Sequence, residues 1–273
     1  VSVRAAFNAG GFPAYRSALV QLGGAQKKAA RSAPAYSRYV NRRLGRYLAA
    51  LSFAAGLSPN AVTGISAVFT FAGIALLMLF PPSLWLGVAV ALLLATGYAL
   101  DSADGQLARL TRTGSPAGEW LDHIVDAVKT SLLPLALAVG LYRFDAVPKL
   151  MLLVPLLAAL VCAVLFFSMM LTEQLRRQRG VESSADDSRR PSWVRSVLVV
   201  PMDYGLLCWV FVLYGAVPVF MTVYTVILAA TAAFLVLASV KWFRELSVLP
   251  DAPRGRHLRE SGPETPSDAG GQQ

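Results

Sequence analysis

DSADGQLARLTRTGSPAGEWLDHIVD, residues 101–126, sets Asp101, Asp104, Asp122 and Asp126 into a chain that is otherwise apolar enough for a membrane interior. Acidic side chains are costly inside a bilayer and mark functional sites where they occur. At about 100° per residue, Asp101, Asp104, Gly105 and Ala108 fall within roughly one third of a helix circumference. One helix face therefore carries two carboxylates beside two nearly absent side chains. Asp122 and Asp126 are likewise one turn apart, with Gly118 and Lys129 on the same arc of their helix. Two carboxylate pairs on adjacent helix ends, with small residues opening space between them, make an oxygen-lined cage of the kind that hard cations such as Mg²⁺, Mn²⁺ or Ca²⁺ prefer.

The rest of the chain supplies a membrane setting for that cage. Of its 273 residues, 55% are apolar and the mean hydropathy is +0.53, above an ordinary soluble domain, whose apolar share runs about 45–50%. The excess lies in blocks near 61–80, 83–101, 119–141, 148–171, 197–214 and 217–240, each long enough for a hydrocarbon core of about 30 Å. Asp203 and Gly205 interrupt the fifth. Residues 36–56 alternate apolar and basic positions at helical spacing, the pattern of a helix lying on a membrane surface. The expected fold is an all-α integral membrane protein with six transmembrane helices and an N-terminal amphipathic juxtamembrane helix. It divides into a basic arm and amphipathic helix at 1–56, a six-span domain at 57–246, and a polar, Pro/Gly-rich, disordered tail at 247–273.

Charge sets the orientation. Residues 1–60 carry nine Lys or Arg and no acid, which equals the whole net charge of +9, and 172–196 holds six arginines. The turns at 81–82 and 215–216 are uncharged, and 142–147 has only Arg143 and Asp145. The positive-inside rule then predicts a multi-pass protein of the cell membrane with both termini and the 109–118 loop cytoplasmic. All four aspartates meet at that surface. Nucleic acid is not an expected partner, because the basic residues flank spans and answer to topology and anionic lipid. Cys162 and Cys208, the two cysteines of the chain, both lie within expected spans and support neither a disulfide framework nor a zinc cluster. His123 follows an acid of the cage and either tunes it or packs at the interface. No Walker loop or nucleophile elbow is present.

The spacing D-x2-D-G-x2-A-R-x8-G-x3-D-x3-D matches, at every defined position, the signature of the CDP-alcohol phosphatidyltransferases, and the chain resembles that family. The resemblance implies an integral membrane enzyme that transfers a phosphatidyl or related group from a CDP-linked donor to a hydroxyl and releases CMP. Carried over position by position, it makes Asp101, Asp104, Asp122 and Asp126 metal ligands, with Asp126 also the base toward the acceptor. Gly105 and Gly118 would admit the nucleotide closely, Ala108 would keep the face clear and Arg109 would contact phosphate. Mg²⁺ or Mn²⁺ is the implied cofactor, as two ions. LSPNAVT at 57–63 resembles the family's entry to the first span and would bring Asn60 or Thr63 near the nucleotide; its plain alternative is a helix start at Ser58 and Pro59.

Lys129 has two readings, an ion pair with an aspartate or a contact to an acceptor phosphate. Asp203 either orients the acceptor or is solvated at the interface. The compact length is similar to that of enzymes using CDP-diacylglycerol and a small polar alcohol, with membrane lipids around them and a homodimer as a further expectation. SPAGEWLDHIVD also resembles the SPxGExxDHxxD form of choline and ethanolamine phosphotransferases, which act on diacylglycerol. A membrane metal or proton transporter is the remaining reading, although such proteins place their acids at broken helices near the midplane.

Overall fold

The computed structural model describes residues 11–25, 36–180 and 203–248. Most of the 247–273 tail, the 181–202 stretch and parts of the basic arm lie outside the described residues. The described elements are all helical. In chain order they are α1 (Gly11–Ala25), a π-helical turn (Ser37–Asn41) running into α2 (Arg42–Ala54), α3 (Pro59–Leu79), α4 (Leu84–Thr111) and α5 (Pro116–Arg143). A 3₁₀ turn (Lys149–Leu152) then opens α6 (Leu153–Gln178), α7 (Tyr204–Val210) continues as a 3₁₀ turn (Phe211–Gly215), and α8 (Val217–Ser247) follows.

The helix starts are written locally. Ser58, Ser83 and Ser115 cap α3, α4 and α5: their hydroxyls accept from the N–H of Ala61 at 3.2 Å, Leu86 at 3.2 Å and Gly118 at 3.1 Å. Such caps satisfy a donor that the helix itself leaves unpaired, and Pro59 and Pro116 occupy the first turn where no N–H is needed. α4 ends where Arg112 turns left-handed at φ 55°.

Among the described residues, five helices are long and apolar enough to cross a membrane: 59–79, 84–111, 116–143, 149–178 and 217–247. They correspond to five of the six expected spans. Of the expected 197–214 span, the described part is the short α7 and its 3₁₀ turn, 204–215. Asp203 sets that start, because its carboxylate caps α7 by accepting from Gly205 N–H at 3.1 Å.

Small residues let the helices approach closely, which matters in lipid, where apolar burial between helices gains little. α3 packs against α4 and α5, α5 and α8 pack against α6, and α2 lies across the end of α4. At the α3–α4 crossing Ser66 donates to the Gly97 carbonyl at 2.8 Å, and a Cβ on Gly97 would run into Thr70. At the α3–α5 crossing a Cβ on Gly140 would strike the Leu77 carbonyl. One apolar core joins α3, α4, α5 and the α7 turn around Leu94, Leu137, Phe211 and Tyr214. A second, smaller core ties α1, α2 and the start of α3 to the other end of α4 through Ala18, Ala49, Phe53, Val62 and Leu107.

Helix lengths place the acids. At about 1.5 Å per residue, Asp101 lies ~25 Å along α4 from Leu84, and Asp126 lies ~25 Å back along α5 from Arg143. Both pairs therefore sit at one end of the bundle, about one hydrocarbon thickness from the turns at its other end. The basic α2 and the Arg176–Arg177 end of α6 share the acidic end.

Candidate active site

α4 delivers Asp101 and Asp104 a turn apart, and α5 delivers Asp122 and Asp126 from the facing helix. Carboxylate oxygens of Asp101, Asp104 and Asp122 all lie within 4.8 Å of one another, and ligand atoms of Asp122, His123 and Asp126 form a second group of the same span. The two groups share Asp122. Mg²⁺ and Mn²⁺ favour oxygen donors at about 2.0–2.1 Å for Mg²⁺. The first group offers such an ion carboxylate oxygens alone, within 4.8 Å of one another, so these residues fit a hard divalent cation.

A cavity of about 450 Å³ opens beside the acids. Its walls collect Asn60 and Thr63 from α3, Asp104, Gly105, Ala108 and Arg109 from α4, and Gly118, Glu119 and Asp122 from α5. Every residue expected at a nucleotide lines this one space. Thr63 donates to Asp104 Oδ2 at 2.5 Å, fixing a carboxylate that is only 6% exposed. Gly118 stands against Asn60: a Cβ there would lie 3.0 Å from Asn60 Oδ1. Gly105 is different, since an added Cβ would meet nothing nearer than the Arg109 guanidinium at 3.7 Å. Protein packing does not require that glycine, and its bare backbone leaves cavity floor open.

Asp101 and Asp126 do not line the cavity. They are bridged by Lys129, whose Nζ lies 3.2 Å from Asp101 Oδ1 and 2.5 Å from Asp126 Oδ1. The same ammonium stands 5.5 Å from the centre of the Tyr204 ring, an attractive cation–π placement. The ion-pair reading of Lys129 is the arrangement seen. Asp203, the other residue considered for the acceptor, directs its carboxylate at backbone: Oδ2 accepts from Tyr36 N–H at 2.8 Å and Ser37 N–H at 3.2 Å. It thereby ties the start of α7 to the turn before α2.

Three contacts were not foreseen from sequence. Arg177, at the end of α6, donates at 2.8 Å to Glu119, one of the residues lining the cavity, and Glu119 also lies 3.8 Å from His123 Nε2. Arg176 pairs with Glu245 of α8. Tyr204 walls the lysine and meets Tyr98 edge to face at 5.2 Å between centroids. Each joins residues far apart in the chain, where periodicity carries no signal.

Comparison with known proteins bears on the family of the chain. A curated relative from Dictyostelium discoideum, described as an uncharacterized CDP-alcohol phosphatidyltransferase class-I family protein 2, is 30% identical over 91 residues. That match takes in 31% of this chain and 22% of the relative, so the chain spans under a quarter of that protein's length. The sequence profile described as CDP-alcohol phosphatidyltransferase matches residues 57–237, from the cap of α3 into α8, about two thirds of the chain. With the cavity and the acids of α4 and α5 inside that match, the chain belongs to the CDP-alcohol phosphatidyltransferase family.

Proposed function

We propose that this protein transfers a phosphatidyl group from CDP-diacylglycerol to a small polar alcohol and releases CMP, at the cytoplasmic face of the cell membrane. The observation that carries the reading is the single cavity that joins Asn60, Gly105, Arg109 and Gly118 to the carboxylates of Asp104 and Asp122 at one end of the bundle. A polar donor head seated there would leave its acyl chains level with the apolar helices. The basic α2 and the Arg176–Arg177 end of α6 at the acidic end, together with the arginine-rich sequence of 172–196, support a cytoplasmic site and cytoplasmic termini.

In this reading Asn60, Thr63 and the bare backbone at Gly105 and Gly118 receive the nucleotide, Ala108 leaves it room, and Arg109 pairs with phosphate oxygen. Asp101, Asp104, Asp122 and Asp126 hold divalent metal, Mg²⁺ or Mn²⁺, with the two overlapping ligand groups suited to two ions. Such a cation, when bound, neutralises pyrophosphate charge and stabilises the departing CMP. The acceptor oxygen forms a bond to the lipid-side phosphorus while the bond from that phosphorus to the CMP oxygen breaks. Asp126 takes the acceptor's hydroxyl proton, a role that requires its carboxylate within hydrogen-bond reach of that hydroxyl.

The choline and ethanolamine type of reaction is not favoured. Glu119 and His123, which carry that likeness, are engaged with Arg177 and with each other. Transport is not favoured either, because the acids gather at one end of unbroken helices rather than at a broken-helix midplane site. The test is purified protein given labelled CDP-diacylglycerol, Mn²⁺ and a panel of polar alcohols. A phosphatidyl product and stoichiometric CMP with one acceptor support the reading; product only from CDP-choline or CDP-ethanolamine with diacylglycerol replaces it.

A further inference from the structure

Lys129 is 5% exposed and lies on α5 at membrane depth, where an ammonium persists only with partners. Its three neighbours come from three helices: Asp126 one turn back on α5, Asp101 across on α4, and the Tyr204 ring from α7. It draws on the two acidic groups unequally. From Asp101, Asp104 and Asp122 it takes one carboxylate at 3.2 Å, and Asp104 and Asp122 have no ion pair to it. From Asp122, His123 and Asp126 it takes one of only two carboxylates, at the shorter 2.5 Å. Repulsion between an ammonium and a divalent ion rises as their separation falls, so the second group is the one the lysine opposes most.

We propose that Lys129 is a positioning residue that makes the two cation positions unequal: an ion binds first at Asp101, Asp104 and Asp122, and the position at Asp122, His123 and Asp126 fills only when Asp126 gives up the ammonium. The inference rests on the metal reading of the proposed function. It assigns the lysine a role toward the cage itself rather than toward the acceptor. Tyr204 offers the ammonium a partner that does not compete for metal.

The test is a Mn²⁺ titration of the purified full-length protein in detergent, with free Mn²⁺ read by electron paramagnetic resonance, which does not depend on turnover. The expected result is two steps at least tenfold apart in affinity, or one step in the wild type that becomes two in Lys129→Met. In Lys129→Met the weaker step tightens at least tenfold and the stronger changes less, whereas Lys129→Arg, which keeps the charge, preserves the gap. Two equal steps in the wild type overturn the proposal, as does a gap that Lys129→Met leaves unchanged or widens. Should Lys129→Met fail to fold, Asp126→Asn decides: it removes the weaker step and spares the stronger, and loss of the stronger step refutes the assignment. Absence of any Mn²⁺ binding by the wild type refutes the metal reading itself, and is thereby distinguished from a failure of the lysine's role alone.

Discussion

Asp104 and Asp122 border an open cavity, whereas Asp101 and Asp126, one helical turn away on the same two helices, are bridged by a buried ammonium. In the linear pattern the four acids look equivalent, a pair at i, i+3 and a pair at i, i+4. Tertiary structure divides them into a pair that lines the cavity and a pair held by charge. The difference comes from what each carboxylate meets: Thr63 and open space for Asp104, and a lysine with an aromatic wall for Asp101 and Asp126. A site can therefore be built from one repeated residue type and still assign different work to each copy.

The largest effect should come from the cavity pair. Asp104→Asn or Asp122→Asn is expected to lower CMP release by about a thousandfold or more, the scale seen when a preorganised electrostatic element is removed. Initial rates at saturating Mn²⁺ measure it, and a loss below tenfold would dissolve the distinction between the pairs. Asp126→Asn should cost about 10²–10⁴ in turnover, the usual worth of a general base, while donor binding changes far less. Equilibrium binding of CDP beside the turnover assay separates those two readouts.

Two glycines sharpen the contrast between site and scaffold. Gly105→Leu should fold normally, since the position opens onto the cavity, and raise the donor KM by about tenfold or more through lost space. Gly140→Ala should do the reverse. Its Cβ would meet the Leu77 carbonyl, so thermal stability should fall by an amount in the overpacking range of about 1–3 kcal/mol with little change in KM. The smallest effect belongs to Arg177→Ala. Its pair with Glu119 is half-exposed on both sides, at 54% and 49%, and exposed pairs contribute about 0–1 kcal/mol. A near-unchanged melting temperature is expected, and a large drop would mean that this pair holds α5 and α6 together.

Much of this site was legible before any coordinates. The four aspartates, Gly105, Ala108 and Gly118 follow from helical periodicity, because each pair lies on one helix and the short loop between α4 and α5 forces the helices to adjoin. Asn60 and Thr63 were readable only through the family likeness, since nothing local distinguishes a site residue from a helix start at Ser58–Pro59. Asp203 stood out as an acid in apolar sequence, but its partners Tyr36 and Ser37 are more than 160 positions away, and no periodicity reports such a contact. The same holds for the Tyr204 wall behind Lys129. Hydropathy read a span at 197–214 interrupted by Asp203 and Gly205, and its described portion does begin at that aspartate, as a cap, before tightening into a 3₁₀ turn. The basic N-terminal arm contains α1, whose Ala14, Ala18 and Leu22 pack into a core with α2.

The most direct test of the central claim is CMP release from labelled CDP-diacylglycerol by the purified protein, with Mn²⁺ and then with exhaustive EDTA, in wild type and in Asp104→Asn. The account predicts acceptor-dependent CMP and phosphatidyl product with Mn²⁺, and loss of both in EDTA and in the variant. Turnover that survives exhaustive chelation, or that Asp104→Asn leaves intact, would contradict it.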